Sequence, residues 1–417
     1  MTGTGRTWVI GAGMAGLAAA LSLSAAGRAV TLVEAAARAG GRCRSYHDPV
    51  LDRLIDNGNH LMMTANDNLF ALLAETGATD RMRVVSPAAY PFIDVTTGER
   101  WTVRPNAGRL PWWILVPGRR VAGTRALDYL AGARLLTGPA DATVTERIRP
   151  VGMLWRRFWE PLAIGALNID PARGAAGLLA TVCRLSFAKG EAASRPVMAR
   201  TSLADALFDP AVATLERRGV VIRFRERLRG VSVEGGRIAA RHLAAGTEGL
   251  GPGDRVILAL PPWVAGEVVP GLVVPDGAHM ILNLHYRLDR PPAMDPPFIG
   301  LTGSVAQWVF LKGDVASVTV SAADAFAETP AEEIATRLWP EVRLALGLGD
   351  LPEPPCRVVK EKRATFAGTP ANEARRPGPK SPFDNLFLAG DWTVRGFPAT
   401  IEGAILSGRC AAASAQG

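Results

Sequence analysis

Thr7-Trp8-Val9-Ile10-Gly11-Ala12-Gly13-Met14-Ala15-Gly16 decides the fold. Four apolar residues make a short strand, and a G-x-G-x-x-G turn follows at once. Met14 to Ala26 is rich in Ala and Leu, which favours a helix, and Gly27 suits its C-terminal end. Ala29-Val30-Thr31-Leu32-Val33 is continuously apolar, as a strand covered on both faces must be. The first 34 residues therefore spell strand, helix, strand.

Glu34 ends the second strand, 34 − 13 = 21 residues beyond the middle glycine. That is the usual distance to an acid accepting hydrogen bonds from a ribose. Each glycine has a physical task. Gly11 permits the tight turn, Gly13 removes a side chain that would block a pyrophosphate, and Gly16 lets helix and strand pack closely. Met14 and Ala15 open the helix, where free N–H groups and the positive dipole end face phosphates. An acid rather than an arginine at position 34 disfavours a 2′-phosphate, and hence NADP.

The uncharged run 7–27 is long enough to span a bilayer. Its three glycines, and the strand that follows with its acidic end, make it a buried βα unit, neither a membrane span nor a signal peptide. The chain has 417 residues, enough for two domains, with 48% hydrophobic and 21% charged residues. Net charge is 47 − 39 = +8, which suits a phosphorylated ligand or an anionic membrane. The basic residues are scattered and no nucleic-acid module accompanies them, so nucleic acid is not expected as a partner. Cys43, Cys183, Cys356 and Cys410 form no C-x-x-C pair and read as reduced cytoplasmic thiols; no metal site is expected.

Strand signals return at 220–224, 229–233, 255–260 and 385–389, and a helix from about 400 to 413 closes the chain. The fold class is therefore α/β: a discontinuous Rossmann-type domain over 1–75, 205–275 and 375–417. A second, α+β substrate domain takes 76–204 and 276–374. Its first segment reads as mostly helical, its second as strands near 279–288 and 315–320 with a helix near 331–346.

Two further stretches point to FAD. Gly40-Gly41-Arg42 follows Glu34, and Leu388-Ala389-Gly390-Asp391-Trp392 lies near the C-terminus. With the glycine turn they resemble the signatures of the flavin amine oxidase and phytoene desaturase superfamily. The resemblance implies that Arg42, Gly390 and Asp391 approach the pyrophosphate and ribityl chain. It also implies that Leu228 offers a backbone group to the adenine side, and that Pro398-Ala399-Thr400-Ile401-Glu402-Gly403-Ala404 opens a closing helix aimed at the flavin ring. No cysteine stands just before Ala389, where covalent flavin is attached in that superfamily, so the FAD is expected to be non-covalent.

Ile55-Asp56-Asn57-Gly58-Asn59-His60-Leu61 resembles the D-N-G-x-H-L motif of the squalene-associated group, the hydroxysqualene dehydroxylases of hopanoid biosynthesis, with Asn59 where Gln is usual. Trp159-Glu160-Pro161-Leu162 running to Leu167-Asn168 resembles that group's W-x-P-L segment. The resemblance implies replacement of an allylic C30 hydroxyl by hydrogen, with an unidentified electron donor. His60 becomes the candidate proton donor or alcohol orienter, and Asn57 a candidate for binding the hydroxyl; alternatively both only satisfy backbone groups in a loop with Gly58 under the flavin. A phytoene desaturase-like oxidation, an amine oxidation and a lipid carrier without turnover are the competing readings.

So hydrophobic a substrate implies a peripheral membrane enzyme at the cytoplasmic face. Leu110-Pro111-Trp112-Trp113-Ile114-Leu115-Val116-Pro117 with Arg119-Arg120 suits an interfacial anchor, and Trp155-Arg156-Arg157-Phe158-Trp159 repeats that composition. Core packing of these tryptophans is the alternative.

Overall fold

The computed structural model describes residues 5–139 and 141–417. The opening strand, Thr7–Ile10, sits in the middle of a five-stranded parallel sheet. The order is Val221–Arg223, Val30–Val33, Thr7–Ile10, Arg255–Leu258, Leu386–Leu388. All pairings in it are parallel. The two N-terminal strands are buried at every position, which is why their sequences do not alternate.

The helix Met14–Ala25 runs from the glycine turn and is joined face to face by the closing helix Ile401–Ser414. Small residues make this approach possible: a Cβ on Gly408 would lie 2.1 Å from the Ala15 carbonyl oxygen. Leu17, Leu21 and Leu23 are completely enclosed between these elements and the sheet. Each such burial is worth about 1.5–3 kcal/mol, and Leu17→Ala would cost about 2–5 kcal/mol.

A seven-stranded sheet forms the second layer system, in the order Cys356–Phe366, Ala278–Arg287, Val315–Val320, Trp308–Lys312, Phe298–Thr302, Tyr90–Asp94, Arg100–Val103. The segment 76–204 is thus less helical than its sequence suggests. Tyr90–Asp94 pairs in parallel with Phe298–Thr302, a partner some two hundred residues away that local periodicity does not register. Pro196–Ala199 pairs with both Met62–Met63 and Met82–Val84, and Met82, Val197 and Ala199 pack in the core of the parallel sheet. The helix Ala331–Leu346 covers the large sheet through Ile334, Leu338 and Val342.

Among the described residues no helix is long and apolar enough to cross a membrane. None of their His, Cys, Asp and Glu side chains form a metal-binding cluster.

Candidate active site

The glycine turn is shaped from both sides. Gly11 adopts φ +105°, and a Cβ there would meet the Ala259 carbonyl oxygen at 2.5 Å. A Cβ on Gly16 would lie 1.8 Å from the Gly11 oxygen, so only glycine lets the helix leave this close to the strand. Gly13 differs: a Cβ there would meet no atom within 4 Å. The space above it is open, while the helix beginning at Met14 and Ala15 has neither a side-chain cap nor an acid in its first turn. Its unpaired N–H groups and positive end are left for an anion.

Glu34 is held at the lip of this space. Its carboxylate accepts from the Ala12 and Ala36 backbone N–H groups, both at 2.7 Å, and keeps lone pairs for further donors. The backbone of Arg225 and Glu226 bonds to Ala36 and Glu34, which brings the strand Leu228–Glu234 to the same edge. The Leu228 side chain itself is core, packed with Trp8 and Val33.

Gly40 donates to the Ala12 carbonyl and Gly41 lies against Gly13, so the second glycine pair backs onto the first. Arg42 then reaches across: Nη2 donates to Asp391 Oδ1 at 2.7 Å, and Nη1 to the Ala364 carbonyl at 2.7 Å. Gly390, at φ +144°, donates its N–H to Ser407 Oγ of the closing helix at 2.8 Å. Ile401 is the buried first residue of that helix, and the Thr400 hydroxyl caps it by accepting from Gly403 at 3.1 Å.

Sequence reasoning missed the residue that holds this end together. Arg376 is fully buried and donates to the carbonyls of Asp391 (2.7 Å), Trp392 (3.1 Å) and Phe397 (2.8 Å), and to that of Val394. An Arg375-Arg376 pair at the end of a short helix, before Pro377, carries no signal of that role.

The Asp56–His60 stretch lies beside Arg42. Asp56 is structural: it pairs with Lys312 Nζ at 2.5 Å and accepts from Ser45 Oγ and the Leu203 N–H. Asn57 spends its amide hydrogens on the Arg42 carbonyl (3.0 Å) and Glu361 Oε2 (2.9 Å), leaving Oδ1 buried and without a partner. A Cβ on Gly58 would lie 3.1 Å from Asn283 Nδ2, so a larger residue there would make that side chain shift. His60 Nδ1 lies 3.1 Å from the Gly58 carbonyl and Nε2 lies 3.4 Å from Cys43 Sγ. Burial disfavours the charged ring, but the Cys43 sulfur, the Gly58 carbonyl and Asp56 outweigh it and raise the His60 pKa above the ordinary 6.5. Lys312, Glu361 and Cys43 are further residues of this site that the sequence did not single out.

Past His60 the chain enters an apolar cavity of about 60 Å³. Leu61, Phe158 and Leu162 line it together with Tyr90, Phe92 and Trp308. The two motifs that resemble the squalene-associated group thus meet at one cavity. Asn168, which ends the second motif, has a different task. It sits at φ +51°, closing the helix Glu160–Leu167, and its amide ties that helix to Thr365 Oγ1 and the His279 carbonyl of the large sheet.

The two tryptophan-rich stretches part company. Trp155, Arg157, Phe158 and Trp159 are core, with Arg157 ion-paired to Asp94 and Glu99, so the anchor expected from that stretch is corrected to packing. Trp113 is also buried. Leu110 (80% exposed), Trp112 (47%) and Leu115 (66%) face solvent, and Leu127 (74%) and Leu130 (64%) add to this apolar surface.

A site with open space above Gly13, an uncapped helix and an acid at the strand end fits a flavin dinucleotide. The family profile of flavin containing amine oxidoreductases matches residues 14–415. The chain belongs to this family. It binds FAD and is an oxidoreductase. The chain is 42% identical to a hydroxysqualene dehydroxylase of Sinorhizobium fredii, over 97% of this chain and 96% of that one. A second hydroxysqualene dehydroxylase, from Rhodopseudomonas palustris, is 41% identical over the same shares. Among solved structures, a triple mutant of putrescine oxidase with redesigned cofactor binding superposes with a TM-score of 0.73 at 16% identity, covering 98% of each chain, a likeness of fold.

Proposed function

We propose that the protein removes the hydroxyl of hydroxysqualene reductively, giving squalene. The observation that carries this reading is the apolar, aromatic cavity lined by Leu61, next in the chain to His60, and by Phe158 and Leu162. The 40–42% identity to hydroxysqualene dehydroxylases supports the same reaction. Gly11, Gly13, Met14, Ala15, Gly16, Glu34, Arg42, Gly390, Asp391 and the start of the helix at Ile401 would hold the FAD. When bound and reduced, FAD supplies the hydride that replaces the departing hydroxyl.

The chain's own groups do the rest. His60 donates a proton to the alcohol oxygen, so that the C–O bond breaks with water as the leaving group. The aromatic faces of Phe92, Phe158 and Trp308 favour the allylic cation that remains, and the apolar walls keep water from capturing it. Asn57 Oδ1, buried and unpaired, is the acceptor nearest in sequence for the alcohol hydrogen. A C30 chain is far larger than the cavity, so the walls must part on entry.

Entry is proposed from the cytoplasmic face of the membrane, through the surface that carries Leu110, Trp112, Leu115, Leu127 and Leu130 beside Arg109 and Arg119. The deciding experiment is anaerobic: the purified flavoprotein is photoreduced and mixed with hydroxysqualene. Flavin reoxidation with stoichiometric squalene is expected. Flavin that stays reduced with this alcohol, together with reduction of the oxidised form by phytoene or an amine, would overturn the reading.

A further inference from the structure

Cys43, like Lys312 and Glu361, has no part in the reaction so far. It follows the Gly40-Gly41-Arg42 turn, is half-buried, and places Sγ 3.4 Å from His60 Nε2. The other ring nitrogen fixes the proton count. Nδ1 lies 3.1 Å from the Gly58 carbonyl oxygen, which can only accept, so Nδ1 carries a hydrogen. One proton is then left between Nε2 and Sγ, on the thiol or on the ring.

We propose that Cys43 is the positioning partner of His60: thiol and imidazole share one proton, and that shared proton is the acid of the reaction. The inference rests on the dehydroxylation reading for the fate of the proton, not for the existence of the pair. The balance is simple. The proton passes from the Sγ–Nε2 pair to the alcohol oxygen, the C–O electron pair leaves with water, and the pair is left as neutral imidazole and thiolate. Solvent returns one proton to the pair after turnover. The allylic cation is reduced as in the proposed reaction, and the sulfur forms no covalent bond.

The surroundings suit a shared proton. Arg42, next in the chain to Cys43, is a fixed cation whose charge is shared with Asp391 and felt by the sulfur. Asp56 faces the ring and is itself balanced by Lys312. Glu361 contacts Asn57 and Arg44 on the same side. A thiolate beside an imidazolium and an arginine is the environment that activates cysteines elsewhere. In the remaining cysteines burial dominates instead: it pushes the Cys183 and Cys356 thiols up to about 12 and raises that of Cys410.

The test is a titration of the FAD-loaded protein carrying ¹⁵N-labelled histidine. The His60 resonances among the five histidines are assigned with His60→Gln. In the unaltered protein His60 is expected to titrate above 6.5, and in Cys43→Ala about one unit lower or more. Cys43→Ser, which keeps the volume but cannot ionise in this range, should resemble Cys43→Ala. Identical His60 titration in all three proteins overturns the proposal. Should both Cys43 variants fail to fold, thiolate absorbance near 240 nm decides. It should develop at lower pH in the unaltered protein than in His60→Gln, and coincident curves overturn the pair.

A second readout separates this from the reaction itself. In the anaerobic assay Cys43→Ala should lower the single-turnover rate about a hundredfold without changing the substrate concentration for half-saturation. An unaltered protein that makes no squalene defeats the dehydroxylation reading, while the titration still decides the pair.

Discussion

Arg42 and Asp391 stand 349 residues apart in the chain, and their side chains meet at 2.7 Å. The contact joins the turn after the second strand to the turn before the closing helix, two segments proposed above to hold the FAD. Asp391 is almost wholly enclosed, and the guanidinium is paired to its carboxylate there. Arg42→Ala is expected to cost about 2 kcal/mol in a denaturant melt, because a buried acceptor loses its donor. The same variant should lose its yellow colour on gel filtration. Arg42→Lys restores charge but not the second bond to the Ala364 carbonyl, and should recover stability more than FAD retention. Full flavin retention in Arg42→Ala would remove this pair from the cofactor site.

Gly13 and Gly16 are three residues apart and predict opposite phenotypes. Alanine at Gly13 meets nothing, so Gly13→Ala should melt within about 0.5 kcal/mol of the parent. Its methyl enters the space assigned to pyrophosphate, and FAD affinity should fall tenfold or more, about 1.4 kcal/mol. Alanine at Gly16 would press on the Gly11 carbonyl at 1.8 Å, and that variant should lose stability even without FAD. Equal FAD affinity in Gly13→Ala, measured by flavin fluorescence titration, would contradict the placement.

The strand, turn, helix and acid of the first 34 residues were legible because each is fixed locally, by steric need and by a covering on both faces. Arg42 and Asp391 were legible as motif members, but their contact was not. Lys312 and Glu361 gave no signal at all, since their partners lie on elements remote in sequence, and Arg376 gave none because it bonds backbone carbonyls of a loop, which leave no side-chain pattern. The clearest case is the pair of tryptophan-rich stretches. Trp112 and Trp155 sit in nearly the same composition, yet only Trp112 faces solvent. What buries the second stretch is a strand pair that supplies Asp94, Glu99 and Trp101 to Arg157, and no local pattern foretells it.

His285 gives a stability prediction with a definite sign. Its Nδ1 meets Ser317 Oγ at 2.7 Å, Nε2 is buried without a partner, and burial pushes its pKa down to about 4. Asp56 opposes that shift and Lys312 adds to it. The fold therefore holds the neutral ring, while the unfolded chain takes a proton near pH 6.5. The stabilisation is complete above pH 6.5 and drains away as pH falls toward 4, by up to about 1.4 kcal/mol per unit. Between pH 6.5 and 5 the loss should approach about 2 kcal/mol, read from urea midpoints. His285→Gln removes the titration and should flatten this slope; an unchanged slope would assign the acid sensitivity elsewhere.

The apolar surface around Trp112 makes the last prediction. Leu110 and Leu127 come from different turns, both are more than 70% exposed, and exposure of this kind on adjoining turns calls for a covering surface. Arg109 and Arg125 are exposed nearby, and Arg119 stacks on the Trp112 ring at 4.8 Å, which places cations at the same rim. Vesicles containing anionic lipid should therefore bind the protein more tightly than neutral ones, by about 1 kcal/mol per engaged arginine, and less tightly as salt rises. The double variant Leu110→Ser, Leu127→Ser should weaken sedimentation with vesicles at least tenfold and leave the melting temperature in place, since neither side chain packs in the core. Trp113→Ala should do the reverse, costing about 3–5 kcal/mol of stability because that ring is buried against Tyr129. Vesicle binding that survives the double variant would show that the membrane, if engaged, is engaged by another face.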